Sequence, residues 1–587
     1  MALSSLDWGI VAAYFVFAIG IGVVFARRAG KGTEEFFLAG RSLPWWLLGT
    51  SMVATTFSTD TPNLVTELVR TNGVAGNWVW WAFLLTGMLT VFVFAPLWRR
   101  SGLLTDLEFY EIRYSGRPAA FLRGFRAIYL GVLFNAIIIA SVTLAAAKIG
   151  GALFGVSKVV SVGACAFIAV FYAVVAGFWG VVATDLFQFC LSLIGSILAA
   201  IWALSQPEVG GLSGLTSRLS EKLVMVPSPS NGDLFVGLLV VPLALQWWSV
   251  WYPGSEPGGG GFVAQRMLAA RNERHALLGT LWFNIAHYGL RPWPWILVGL
   301  SSVVLYPDLG AIEAALPGVD PSLVGHDLAY PLMLRFLPAG VLGLMVASLV
   351  GAYMSTVDTH LNWGASYLVH DVYRRFLRTD ADEHHYVRVA RWITVALMSV
   401  AALLTMVLDT AKDTFDLILQ IGAGTGLLFI VRWLWWRVNA WSEIVAMATS
   451  FAVAVVLALA RRSGVDAGPH VSLLIGVTVT TSCWVAATFL THPTREETLV
   501  EFCKKVSPPH RGWASVYERI STRPKSIGAA LIAWPVASVM IYAVMLGSGA
   551  FLFGNIAGGV LGIVVVAICI PLLLHFGGRV VADAEGG

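Results

Sequence analysis

The chain has 587 residues, 57% of them hydrophobic and only 12% charged, with a formal net charge of +4 and a mean hydropathy of +0.76. Such a composition excludes a soluble globular protein, and so small a charge surplus indicates no nucleic-acid partner. The reading is an all-α polytopic membrane protein embedded in a lipid bilayer.

In chain order, apolar windows of roughly 20 residues predict about fifteen transmembrane helices. They fall near 7–27, 45–70, 75–98, 122–153, 157–177, 180–204, 233–252, 276–306, 328–370, 387–408, 413–433, 439–460, 470–490, 529–548 and 554–577. The first follows Asp7 rather than a basic segment and precedes Arg27, Arg28 and Lys31, which predicts a retained span and not a cleaved signal. With the N-terminus outside, the loops bearing Arg99, Arg100, Arg113, Arg117, Arg123 and Arg126, then Arg266, Arg271 and Arg274, then Arg374, Arg375, Arg378 and Arg388, all lie inside. The opposite loop from Tyr306 to Asp327 carries Asp308, Glu313, Asp320 and Asp327 and no Lys or Arg. The expectation is a multi-pass protein of the cell membrane, a bacterial inner membrane, with its C-terminus cytoplasmic.

Pro253-Gly254-Ser255-Glu256-Pro257 and the glycines from Gly258 to Gly261 close the seventh span in a turn-rich segment, read either as a hinge at the inner mouth or as an irregular connection. Residues 491–525 read as a polar cytoplasmic linker before the last two spans. The Cys residues at 165, 190, 483, 503 and 569 show neither a disulfide framework nor zinc spacing. Trp78, Trp80, Trp81, Trp293 and Trp295 sit near span ends and are expected in the interfacial belt.

The second span is the anomalous one. Its centre, Ala54-Thr55-Thr56-Phe57-Ser58-Thr59-Asp60-Thr61-Pro62-Asn63, places hydroxyls, a carboxylate and a proline where a membrane helix is ordinarily apolar. Pro62 removes a backbone donor and disfavours helix at Thr61, so a break is expected there, with carbonyls freed toward a cavity. Broken helices survive in a membrane only when buried in protein or lining a wet pocket, and in transporters they coordinate ions. In the ninth span Ala352, Ser355, Thr356 and Thr359 share a helical face beside Asp358. Such hard oxygen ligands suit sodium. The competing expectation is that each hydroxyl bonds back to its own i−4 carbonyl. Asn284, His287, Tyr288 and Arg291 recur at helical spacing in an apolar span and predict a polar cavity wall; Asp60 is a further candidate for solute or cation.

Ser51-Met52-Val53-Ala54, Thr184-Asp185-Leu186-Phe187-Gln188-Phe189, Gln265-Arg266-Met267-Leu268-Ala269-Ala270-Arg271, and Met354-Ser355-Thr356 ahead of Asp371-Val372-Tyr373 occur in this order across spans two to eleven. Together they resemble the sodium:solute symporter family, which includes sodium/glucose and sodium/proline cotransporters. The resemblance implies a LeuT-type five-plus-five inverted repeat with extra N- and C-terminal spans: an extra span and loop over 1–40, the transport core over 41–435, and C-terminal spans over 436–587. It implies sodium ligands at the Ala54, Phe57 and Ala352 carbonyls and the Ser355 and Thr356 hydroxyls. Asp185 falls on the sodium exit path or at a second sodium. Asp358 and Thr359 fall where two-sodium members place further ligands, and the carboxylate at 358 departs from the usual hydroxyl, opening a second sodium or a proton. Thr61, His287 and Gln420 fall at solute positions; Thr56, where proline transporters carry aspartate, argues against proline. Trp248, Trp251 and Tyr252, closing the seventh span, are the gate candidates.

These readings converge on a sodium-coupled secondary active symporter that imports a small polar organic solute, sugar- or polyol-like or carboxylate-like, by alternating access, with no obligate protein partner. The alternatives are a proton-coupled transporter of the same fold and a non-transporting membrane solute sensor. An enzyme is not expected: His384-His385 and His287 are not accompanied by a metalloprotease, nucleophile-elbow or phosphate-loop motif.

Overall fold

The computed structural model describes residues 3–250, 256–317, 324–408, 424–465, 467–520 and 525–585. Their regular structure is helical throughout, as backbone in lipid requires, since helices satisfy their own polar groups. Ten helices among the described residues are long and apolar enough to cross a membrane, and eleven if the bent pair Glu273–Leu305 and Leu309–Ala315 counts as one span.

The difference from the fifteen expected spans has local causes. Lys158–Val174 and Gly232–Trp248 are apolar but short. The second span is divided into two helices of 11 and 13 residues. Most of 413–433 lies outside the described residues. The expected span 328–370 is also corrected: the crossing helix is Val341–Leu377, and His326–Phe336 forms short turns ahead of it.

The site-bearing helices are α1 (Ser5–Ala29), α2 (Trp45–Thr55), α3 (Asp60–Asn72), α4 (Leu84–Leu89), α5 (Lys158–Leu204), α6 (Gly261–Ala269), α7 (Glu273–Asn284) and α8 (Val341–Ser366). Helix α5 is bent at Gly177, where φ is +58°, and packs against α1, α2 and α8. Helices α2 and α7 meet at glycines: a Cβ on Gly49 would collide with the Gly279 carbonyl. Small residues at such a crossing let two membrane helices approach closely.

The break in the second span lies upstream of its expected place. Helix α2 ends at Thr55, Phe57 to Thr59 leave the helix, and Thr61 and Pro62 already belong to α3. Proline is tolerated in a first helical turn, where its missing N–H would have had no intrahelical partner. Pro62 therefore starts the second half instead of breaking the first.

The arginine-rich end corrects a second expectation. Arg113, Arg123, Arg126 and Arg266 were assigned to loops by charge, yet all four are buried. Arg126 pairs with Glu256 at 2.6 Å, and Arg123 with Asp371 and Glu111, each at 2.7 Å. Arg113 donates to the carbonyls of Arg432 and Trp435, both at 3.0 Å. Asp106 accepts from the Tyr367 hydroxyl at 2.5 Å and the Gly261 N–H at 2.9 Å. Loop charge does not tell whether an arginine faces water or ties helices together.

Of the glycine-rich segment, residues 253–255 lie outside the described residues, and the rest is buried. Gly258 and Gly259 are buried with φ of +84° and +88°, and the Trp98 indole donates to the Gly258 carbonyl at 2.7 Å. Left-handed backbone favours glycine. The turn delivers the chain into α6, so the helix resumes inside the bundle. The tryptophans expected in the interfacial belt are also inside: Trp78, Trp80, Trp81, Trp293 and Trp295 are all buried in protein.

Candidate functional site

The first half of the second span and helix α8 meet at Asp185 of α5. Its carboxylate accepts from Ser51 of α2 at 2.5 Å and from Ser355 of α8 at 2.6 Å. Thr356 donates to the Thr55 carbonyl at 2.8 Å and back to the Ala352 carbonyl at 3.1 Å. The expected i−4 back-bond is therefore present, and the same hydroxyl also bridges to the broken helix. The Ala54 carbonyl accepts from the Phe57 N–H at 2.9 Å, closing a tight turn at the break. Ala54, Phe57, Ala352, Ser355 and Thr356 thus lie on facing sides of one junction, and all are buried.

Arg266 of α6, which loop charge alone assigns to a loop, completes this junction. Fully buried, it donates to Thr359 at 2.7 Å and to Ser51 at 3.2 Å, and stands 3.8 Å from Asp185. Thr359 in turn lies 3.1 Å from the Thr55 hydroxyl. Its sequence signal was available: a single cation inside the apolar run from Phe262 to Ala270, just after the glycines.

Asp358 points elsewhere. It is 1% exposed, and its Oδ1 has no hydrogen-bond partner among the described residues. The Gln188 Oε1 is also unpartnered, while its amide donates to Tyr14 at 2.9 Å. A buried carboxylate oxygen without a donor costs free energy unless a cation or proton answers it.

Beside the break lies a cavity with about 90 Å³ of room for the centres of water molecules. Thr55, Thr56, Asp60 and Thr61 line one side, and His287, Tyr288 and Arg291 the other. Trp80, expected in the interfacial belt, and Phe83 add an aromatic wall. The rings of Trp80 and Tyr288 stack at 5.9 Å. His287 lies in a π-helical turn, Ile285–Leu290, which follows α7 and widens the helix. Its Nδ1 is 3.1 Å from the Thr56 hydroxyl, and its Nε2 is 2.8 Å from Arg291. Arg291 also donates to the carbonyl and, at 2.8 Å, to the hydroxyl of Thr56. Ser58 donates to Asp60. The arrangement offers donors and acceptors to a small polar molecule, with aromatic faces beside them.

The remaining expected residues are dispersed. Asn284 lies off this cavity, in a smaller one adjoining it. Trp248 donates to its own Ala244 carbonyl at 3.2 Å and is not among the cavity-lining residues. Trp251, Tyr252 and Gln420 lie outside the described residues.

A polytopic helical bundle with a broken span, a hydroxyl-rich junction and a central polar cavity has the form of a membrane carrier. The chain belongs to the sodium:solute symporter family, whose profile matches residues 36–449. A sodium/glucose cotransporter of Vibrio parahaemolyticus is 26% identical over 478 residues, covering 78% of this chain and 85% of that protein. A sodium/mannose cotransporter of Bos taurus is 26% identical, covering 68% of each. Among solved structures, a substrate-bound outward-open sodium-coupled sialic acid symporter superposes with a TM-score of 0.66 at 19% identity, covering 84% of this chain and 99% of that one. That likeness shows the shared LeuT-like fold.

Proposed function

We propose that the chain couples sodium entry to the uptake of a small polar organic solute, sugar- or polyol-like or carboxylate-like, by alternating access across a cell membrane. The observation that supports this best is one residue's double membership. Thr55 lines the cavity, and its carbonyl accepts from Thr356 at the junction. Sodium bound by the Ala54, Phe57 and Ala352 carbonyls and the Ser355 and Thr356 hydroxyls would replace that internal bond and hold α2 against α8. The cavity wall at Thr55 and Thr56 would then be set for solute. Asp185, already drawing Ser51 and Ser355 together, would receive the ion on its way inward. Coupling needs only different affinities in the two states, with no covalent step.

The unpartnered Asp358 oxygen favours a second reading at that position: a second cation with Thr359, or a proton. Thr359 is already engaged by Arg266, which favours the proton. Asp60, Thr61 and His287 are the proposed solute contacts within the cavity, with Arg291 orienting His287 and Thr56.

The test is a thermal-shift screen of small solutes on the purified protein, in matched sodium and potassium buffers at fixed pH. A ligand of the native state raises its stability by mass action. A solute shift seen only in sodium supports the proposal; one indifferent to sodium contradicts it.

A further inference from the structure

A second, smaller cavity adjoins the first across Phe83 and Tyr288, which line both. It lies between α4, the glycine turn before α6, and the end of α7. Three buried polar groups in its wall have no hydrogen-bond partner among the described residues: the Thr86 hydroxyl, the Asn284 Oδ1 and the Glu256 Oε2. All three residues are at least nine-tenths buried. Two of the three residues are otherwise anchored. Asn284 donates its amide to the Thr280 carbonyl at 2.8 Å, and the other Glu256 oxygen accepts from Arg126 at 2.6 Å. Gly87, next to Thr86, leaves room for the Asn284 carbonyl, since a Cβ there would collide with it. Three polar groups without partners in the wall of one half-open cavity make a site, because each left unanswered costs its desolvation.

We infer that this cavity is a binding subsite for hydroxyl groups of an uncharged polyhydroxylated solute, occupied in passage between the main cavity and the arginine-rich end; the inference rests on the symport reading above. The donor set selects the chemistry. Two of the three groups are acceptors only, so the occupant must bring donors. Arg126 already neutralises Glu256, so a neutral hydroxyl suits the free oxygen better than a second cation does. The cavity has about 40 Å³ of room for the centres of water molecules. At roughly 10–15 Å³ per water-sized group, that accommodates about three, matching the three unanswered atoms. Aromatic faces of Phe83, Phe283 and Tyr288 supply the apolar wall that sugar and polyol C–H surfaces use.

The experiment is ligand-observed saturation-transfer NMR on the purified full chain with xylitol as probe and ethanolamine as its cationic counterpart, in sodium buffer. Wild type, Thr86→Val, Asn284→Leu and the main-cavity variant His287→Ala are compared, with thermal unfolding of each as the folding control. Thr86→Val removes a hydroxyl that has no partner, so its unfolding temperature should equal or exceed that of wild type. The inference expects a saturable xylitol signal that weakens about tenfold in apparent affinity, one strong hydrogen bond's worth, in Thr86→Val and Asn284→Leu and persists in His287→Ala. No xylitol signal in folded wild type overturns it, as does one lost in His287→Ala but kept in Thr86→Val. A signal from ethanolamine alone that depends on Thr86 overturns the hydroxyl assignment in favour of a cation. Binding here needs no sodium gradient, so a positive result alongside sodium-indifferent uptake would sink the symport reading and leave the subsite standing.

Discussion

At the scale of residues, the proposed sodium junction rests on two hydroxyls that already make internal bonds. To hold the ion as proposed, Ser355 and Thr356 would exchange Asp185 and Thr55 for it, so removing them should weaken ion binding without unfolding the helix. The double variant Ser355→Ala, Thr356→Ala is expected to raise the sodium concentration for half-maximal uptake by about tenfold or more, since each lost ligand is worth on the order of 1 kcal/mol. Unchanged sodium dependence in a normally inserted protein would remove these residues from the site. His287→Ala should change which solute is preferred more than it changes sodium affinity, because His287 lines the cavity and makes none of the junction's bonds to Asp185 or Thr356 given above. Competition between solutes at saturating sodium reads this directly. Most of these residues were legible in the sequence because a hydroxyl or carboxylate within an apolar span is conspicuous. Arg266 and Trp80 were not, for opposite reasons. A cation near a span end reads as a loop residue, and a tryptophan there reads as a belt residue; only the fold shows that each turns inward.

At the scale of elements, the break in the second span was legible but its position was not. Proline marks where a backbone donor is missing, and the first turn of a helix is where that loss costs least, so the break moved to Phe57–Thr59. The glycine turn before α6 was legible as a turn, while its burial depended on Trp98, Phe94 and Met267 closing around it. Gly258→Ala should destabilise the protein by about 1–2 kcal/mol, the cost of a left-handed backbone for a residue with a Cβ. Chemical unfolding in detergent measures it, and a neutral effect would mean the turn can rearrange. The segment joining Ser101 to Gly116 makes a separate, pH-dependent prediction. Burial, and next the neighbouring Glu256, push the Asp106 carboxyl up to about 7 from its usual 3.8. The folded protein then holds this proton more tightly than the unfolded chain does. The stabilisation is complete below pH 3.8 and is lost as pH rises through about 7. The unfolding temperature should therefore fall across that window, and Asp106→Asn should flatten this part of the profile. A rising profile that the variant leaves untouched would contradict the assignment.

At the scale of the whole molecule, composition was sufficient for the class, and ordered motifs for the family, because hydropathy acts over whole spans. Span count was harder to read. Short helices and a span divided in its middle fail a test of length, so the broken second span is one that a count mistakes. The shared wall at Thr55 and Thr56 links junction to cavity, and linkage between them must be reciprocal: if sodium prepares the solute cavity, solute must tighten sodium by the same factor. The most direct test is uptake of radiolabelled sodium into proteoliposomes at fixed pH and zero membrane potential, driven by an inward gradient of a solute identified in the thermal-shift screen. The account predicts sodium accumulation that requires the solute gradient and is lost in the Ser355→Ala, Thr356→Ala variant. Solute entry that draws in no sodium would contradict it.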